Sequence, residues 1–373
     1  MKSAILFAGI LLLFFPSDSF TQEQKPALVL KTRGDIPWIA FSPDGKSLLS
    51  ASKFPDRAGG EDHELQLWDA TNGKLIAGPV KSDYISASGT ISSDGKLAVT
   101  GSFSGGWQLW SLPDLKPLHK GEWYQGRVDR IAFSPDGGTF TALRADFRKR
   151  FTDPFKASRV TYTAYTVDTR PGKMVGESQP WPRELWKEER ASTPRISEPA
   201  GWSKGMSPAF GNDGRPVLPT AAETTALEVP DDSENCGGPT ACAISPNRKL
   251  AVSSGCNGTV IIWDYANGKP IGKPLTKAEN LQIMEDALLF SPNSDRIAVV
   301  RMVRYSNPEH FRPIITVYDV ETRNTVGVPI QPGRTSLLSA MAFSPDGGTF
   351  AITFLRVGQG DNEIQLWKVT AAK

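Results

Sequence analysis

The nine residues AFSPDGGTF occur twice in this chain, at Ala132 to Phe140 and at Ala342 to Phe350, and their middle, FSPDG, recurs at Phe41 to Gly45. A turn repeated letter for letter restricts the fold to architectures that reuse one small unit many times. Its wording has a physical reason. Proline presets the backbone angle of the first corner, Asp or Asn bonds the nearby main chain, and glycine accepts the left-handed exit. The third copy reads WIAFSPDGKSLLSAS in full, and further copies are ACAISPNRKLAVSS and ALLFSPNSDRIAVV. Two weaker ones are GTISSDGKLAVTGS at Gly89 to Ser102 and SPAFGNDGRPVLPT at Ser207 to Thr220.

Each copy reads as a hairpin between two short apolar strands, a and b. A third apolar run follows and ends in an aromatic and an acid, as in LQLWD to Asp69, VIIWD to Asp264 and ITVYD to Asp319. A fourth piece comes after another Gly or Asn turn, in NGKLIAGPV, NGKPIGKPL and RNTVGVPI, where proline suits an edge strand. Four antiparallel strands in each of seven units predict an all-β, seven-bladed β-propeller, because one such sheet cannot bury its own faces. The last copy stops at its third strand, EIQLWKV, and the strand-like PALVLKT stands before the first copy. The ring is therefore expected to be closed by the N-terminal strand in the last blade, leaving no open edge.

The FSPDG hairpins, the LWD endings and the NGKPIG tail resemble WD40-repeat propellers, in particular the exported bacterial kind. The resemblance covers nearly all of the chain, is weak in the fourth blade, and lacks the aromatic-acid ending in the third, where YTAYTVD stands. Many WD40 repeats carry a Gly-His pair before strand a, and its histidine joins a buried hydrogen-bond network. Here His63, His119 and His310 all stand elsewhere. Apolar and tryptophan packing is expected to hold the blades together instead.

The N-terminus, Lys2 followed by the apolar run Ala4 to Phe15, reads as a signal peptide over residues 1–19 and as extracytoplasmic localisation, periplasmic or secreted. Residues 20–373 are then a single propeller. That apolar run is too short to span a bilayer, so no membrane span is expected after cleavage. A net charge of +2 argues against nucleic acid as a partner.

Between the turn serine and the aromatic position, Ser92 to Trp110 and Ser245 to Trp263 are compact, whereas Ser42 to Trp68, Ser134 to Val167, Ser291 to Tyr318 and Ser344 to Trp367 are longer. The excess belongs between strands b and c. A further insertion, 177–205, lies between the third and fourth blades, and its RELWKEER stretch reads as two helical turns or as an irregular flap. In an antiparallel meander these b-to-c loops and the blade-to-blade connections emerge at one end, which is where insertions carry binding.

Two of the loops combine arginine with aromatics, the residues that protein interfaces favour. Arg144 to Arg159 carries six basic residues against two acids, and Arg301 to Pro313 three against one. The first blade's loop, KFPDRAGGEDHE, is net acidic. The candidate partner-binding residues are Arg144, Phe147, Arg148, Lys149, Arg150, Phe151, Arg301, Arg304, Tyr305 and Phe311. The alternative is a solvated charged loop with its phenylalanines tucked down.

GWSKG at Gly201 to Gly205 has the letters of a nucleophile elbow without its context, since Pro199 and Pro208 bracket it. Neighbouring side chains in a loop rarely converge on one ion, so Glu61, Asp62, His63 and Glu64 are not read as a metal site. Neither catalytic, metal nor cofactor residues are assigned. Pairing Ile244 near Lys249 would set Cys256 beside Cys236, the candidate disulfide, and leave Cys242 buried. The chain is thus expected to be a non-catalytic interaction scaffold, monomeric alone, that binds a protein or an anionic polymer through its loop-bearing end. The alternative is a propeller enzyme, a hydrolase or lyase, with its site at the central channel mouth.

Overall fold

The computed structural model describes residues 25–55, 60–84, 86–123, 126–146, 161–177, 181–182, 209–210, 216–217, 239–255, 258–276, 283–304, 311–332, 337–355 and 362–369. The repeated turn closes in the same way in five of its six described copies. Ser42 Oγ donates to Asp44 Oδ1 at 2.6 Å and accepts the Ser47 N–H at 2.9 Å, while Asp44 Oδ1 also accepts the Lys46 N–H at 3.0 Å. Ser92 with Asp94, Ser134 with Asp136, Ser245 with Asn247 and Ser344 with Asp346 repeat these bonds. The exit residue is left-handed in every described copy: Gly45, Gly95, Gly137 and Gly347, but also Arg248 and Ser294. In that last turn Asp295 takes the Ser291 hydroxyl in place of Asn293, whose amide reaches across to the Asp346 carbonyl of the next turn.

These bonds make the turns sensitive to acid. Asp44, Asp94, Asp136 and Asp346 are each held below the usual carboxylate range, first by the serine hydroxyl and then by a main-chain N–H. A carboxyl whose folded pKa is depressed contributes stability above its unfolded pKa, and that contribution is lost as pH falls through the folded value. Asn247 does the same work without a charge. Asp→Asn at all four turns is therefore expected to preserve the fold at neutral pH and to flatten the fall of the melting temperature below about pH 4. Thermal melts across that range check it.

Among the described residues the strands fall into seven sheets and there is no helix. After β1 (Leu28–Thr32), the first sheet is β2 (Asp35–Phe41), β3 (Ser47–Pro55), β4 (Glu61–Asp69) and β5 (Leu75–Lys81). The second is β6 (Ser86–Ile91), β7 (Leu97–Ser102), β8 (Gly106–Ser111) and β9 (Lys116–Glu122). The third is β10 (Arg127–Phe133), β11 (Thr139–Asp146), β12 (Thr161–Asp168) and β13 (Lys173–Glu177), with β14 (Trp181–Pro182) also on β12. The fourth holds only β15 (Ala209–Phe210) and β16 (Pro216–Val217). The fifth is β17 (Pro239–Ile244), β18 (Leu250–Gly255), β19 (Val260–Asp264) and β20 (Lys269–Pro270). The sixth is β21 (Ile283–Phe290), β22 (Arg296–Arg304) and β23 (Phe311–Asp319), its fourth piece held by single bridges at Thr325 and Ile330. The seventh is β24 (Leu337–Phe343), β25 (Thr349–Leu355) and β26 (Asn362–Lys368), completed by β1, which pairs with β26 from Leu28↔Leu366 to Thr32↔Asn362.

First strands pack on one another, β2 on β24 and β6, β10 on β6, and β17 on β21, whereas β5, β9 and β13 are largely exposed. Apolar clusters fill the interfaces between sheets five and six, six and seven, seven and one, one and two, and two and three.

That packing is not wholly apolar, as the sequence had implied. Every one of the six longer inner strands carries a bulge near its start, for example at Asp35/Trp38, Val128/Arg130 and Leu338/Ala340. Two of the carbonyls at these bulges take a hydroxyl from the neighbouring sheet: Ser339 donates to Ile36 O and Ser88 to Val128 O, both at 2.8 Å. Within the sheets, the indole N–H of Trp68, Trp110 and Trp263 donates to Ser50, Thr100 and Ser253. Trp367 is buried without such a partner, because Ile352 occupies the corresponding position on β25.

Candidate interaction surface

The hairpins of strands b and c differ in height. β3–β4 pairs from Leu48↔Trp68 up to Pro55↔Glu61, β11–β12 from Phe140↔Val167 to Asp146↔Thr161, and β22–β23 from Ile297↔Tyr318 to Arg304↔Phe311. By contrast β7–β8 stops at Gly101↔Trp107 and β18–β19 at Ser254↔Val260. Much of the extra length between b and c is therefore strand. The stretch KFPDRAGGEDHE, expected as a loop, is strand at Lys53–Pro55 and at Glu61–Glu64. Alternating side chains along β4 send Glu61 and His63 to one face and Asp62 and Glu64 to the other, so this quartet does not converge. Lys53 pairs with Glu61 at 3.7 Å and Lys81 with Asp62 at 2.5 Å. Burial holds His63 below its usual pKa against the opposing pull of Glu61 and Asp62.

The structure separates the candidate arginines. Arg144 is only 6% exposed, and its guanidinium lies 5.2 Å from the centre of the Tyr165 ring. Arg301 reaches into the fifth sheet and donates to the Gly258 carbonyl and, at 2.7 Å, to Thr276 Oγ1. Both brace the bases of tall hairpins. Arg304 ends β22 opposite Phe311, which begins β23. Phe147, Arg148, Lys149, Arg150, Phe151 and Tyr305 lie outside the described residues, as do Cys236, Cys256 and most of the 177–205 insertion. The register assumed for the disulfide is corrected. Ile244 pairs with Ala251 rather than near Lys249, because the Ser245 N–H bonds the Leu250 carbonyl, and a bulge sets Pro239 opposite Gly255. Cys242 sits on β17 opposite Ser253.

An aromatic group went unnoticed in the sequence. Between the first and third sheets, both tall, the short second sheet presents Phe103, 46% exposed, at its b–c turn. Ser102 Oγ fixes that turn by accepting the Ser104 and Gly106 N–H groups. Below it Trp107 packs edge-on against Phe140, and Trp123 stacks on Tyr165 with ring centres 4.7 Å apart. Burial raises the Tyr165 pKa, and Arg144 opposes the rise. The signal was the aromatic in the connection EWYQG, which supplies Trp123. What this end offers is a stiff relief of tall and short hairpins whose lower rows are aromatic and cationic.

Residues 233–264 match the family model described as WD domain, G-beta repeat. The chain is similar to Angio-associated migratory cell protein of Canis lupus familiaris, with 28% identity over 170 residues, 44% of this chain and 32% of that protein. It is also similar to Small ribosomal subunit protein RACK1y of Oryza sativa subsp. japonica, 27% identical over 135 residues, 35% of this chain and 34% of that one. The matched region spans about a third of these curated relatives. A crystal structure of RRP9 WD40 repeats shares the fold, with a TM-score of 0.51 and 14% identity over 92% of this chain and 99% of that one. With one repeat that matches the WD40 model, repeated hairpins and this shared fold, the chain is similar to WD40-repeat proteins over much of its length.

Proposed function

We propose that this chain is a non-catalytic interaction scaffold that binds a protein or anionic polymer through the end bearing the tall hairpins. The observation that carries this reading is that the tallest described hairpins, β3–β4, β11–β12 and β22–β23, rise at one end, each from an apolar interface between sheets. A platform of that kind loses little entropy on binding, and its aromatic and arginine side chains supply the contacts that dominate interfaces. The match of residues 233–264 to a WD repeat supports this reading. We further propose that the sheets close as a seven-bladed ring, that residues 1–19 are a signal peptide, and that the mature chain is extracytoplasmic. Among the described residues no helix is long and apolar enough to cross a membrane.

Affinity capture from envelope fractions, read by mass spectrometry, tests the reading. Reversal of Arg148, Lys149 and Arg150 to Glu is expected to reduce the captured partner about tenfold or more, since truncating or reversing interface charges costs a few kcal/mol. Equal capture by both proteins would remove this loop from the surface.

A further inference from the structure

The outer strands differ in how their cations are used. Lys31 pairs with Glu363 at 2.8 Å, Lys81 with Asp62 at 2.5 Å, Lys116 with Asp114 at 3.3 Å and Lys120 with Asp83 at 2.7 Å. Other exposed lysines, Lys74 and Lys173 among them, form no ion pair among the described residues, but only on the rim of the fifth and sixth sheets do such cations border one corner. Lys269 and Lys273 are exposed and Arg323 is half-buried, and among the described residues none of the three forms an ion pair.

The backbone sets Lys269 and Lys273 on either side of the Gly272 corner that Arg323 covers. Hydrogen bonds to β19 come from the N–H groups of Ile271 and Leu275, so Gly272–Pro274 stands outside the ladder. Gly272 is left-handed at φ 63°, and a Cβ there would overlap the Arg323 guanidinium, which therefore lies directly on this corner. Arg323 is itself left-handed at φ 59° and is tied by its N–H to the Asp319 carbonyl at 2.9 Å. Ile271 and Leu275 pack into the apolar interface beneath, which includes Tyr318 and Val320. Of the nearest acids by sequence, Asp319 is engaged by Thr322 of its own turn and Asp264 by Asn267, with the charge of Lys269 also acting on Asp264.

We propose that Lys269, Lys273 and Arg323 form a binding site for phosphate-type oxyanions. Three cations around one corner exceed what a single carboxylate balances, whereas a phosphate group carries more charge and three strong acceptor oxygens. The planar fork of arginine suits such a group, and the lysines act as point charges beside it. Arg323 follows β23 at the end away from the tall hairpins, so the site is separate from the proposed partner-binding end.

The test uses the full chain with two probes, inorganic phosphate followed by NMR titration and long-chain polyphosphate followed by fluorescence anisotropy. Removing all three cations, as Lys269→Ala, Lys273→Ala and Arg323→Ala together, is expected to weaken binding by about tenfold or more. The paired lysines are the control: Lys116→Ala with Lys120→Ala is expected to leave binding unchanged. Binding is also expected to fall steeply between about 50 and about 500 mM salt. Lys269→Gln with Lys273→Gln, both on exposed side chains, gives the same reading should the Arg323 change disturb its turn. Binding of both probes assigns the site to single phosphate groups, and binding of polyphosphate alone assigns it to a polymer. Failure of both probes, or equal losses in the triple variant and the control, overturns the proposal.

Discussion

Trp110→Ala is expected to destabilise the protein by about 3–5 kcal/mol, read as a loss of unfolding free energy in urea followed by far-ultraviolet circular dichroism. Trp110 is fully buried and is a wall of the interface that Leu49, Ala51, Leu65 and Leu67 of the first sheet share with Ile91, Ala98 and Leu115 of the second. The surrounding strands are held in ladders on both sides, so they cannot collapse into the space an indole leaves. Trp110→Phe separates the contributions. It keeps most of the apolar area and removes the bond to Thr100 Oγ1, 3.2 Å long, for an expected loss of about 1–2 kcal/mol. Equal losses for the two variants would show that packing is not what this residue supplies.

The second large effect concerns β1. A chain beginning at Arg33 is expected to lose its monomeric peak in size-exclusion chromatography and to associate, because β26 then becomes an uncovered edge with its apolar residues exposed beside it. Five residue pairs disappear, Leu30 leaves an interface in which it is 2% exposed, and Lys31 leaves the side of the largely buried Glu363. In the full chain, Leu30→Ala alone is expected to cost about 2–5 kcal/mol, whereas the exposed Val29→Ser is expected to be near neutral. Adding a peptide of residues 25–34 to the shortened chain should restore the monomer. Failure of that rescue, with Leu30→Ala also silent, would mean that the pairing contributes little.

Local chemistry was legible in the sequence because each repeated residue has one job: the serine and Asp or Asn close the turn, and the exit position needs a left-handed residue. Two exits, Arg248 and Ser294, show that an Asn before them and a closed turn around them carry a side chain into that conformation without glycine. Loop length was legible too, but not its division between strand and turn, since EDHE carries no breaker and Pro55 falls only at the last pair of the ladder of β3 and β4. Least legible were properties that arise between sheets. Arg301 looks like a surface residue in a linear reading, yet it reaches across to Gly258 of the shorter fifth sheet, and Arg144 turns onto Tyr165 of the adjacent strand in its own sheet. The tryptophan–hydroxyl pairs were hidden for a related reason: Ser50, Thr100 and Ser253 are unremarkable until register sets each beside an indole.

The pairing of β1 with β26 also has a consequence for biosynthesis. Lys31 and Glu363 are 332 positions apart, so at roughly 10 residues per second a ribosome needs about half a minute between making the first partner and the second. Throughout that interval the early strand has no mate and the growing array has an unfinished seam. Any holding factor that acts on the nascent chain would find its clearest target there, on five residues whose fate is decided only when β26 emerges.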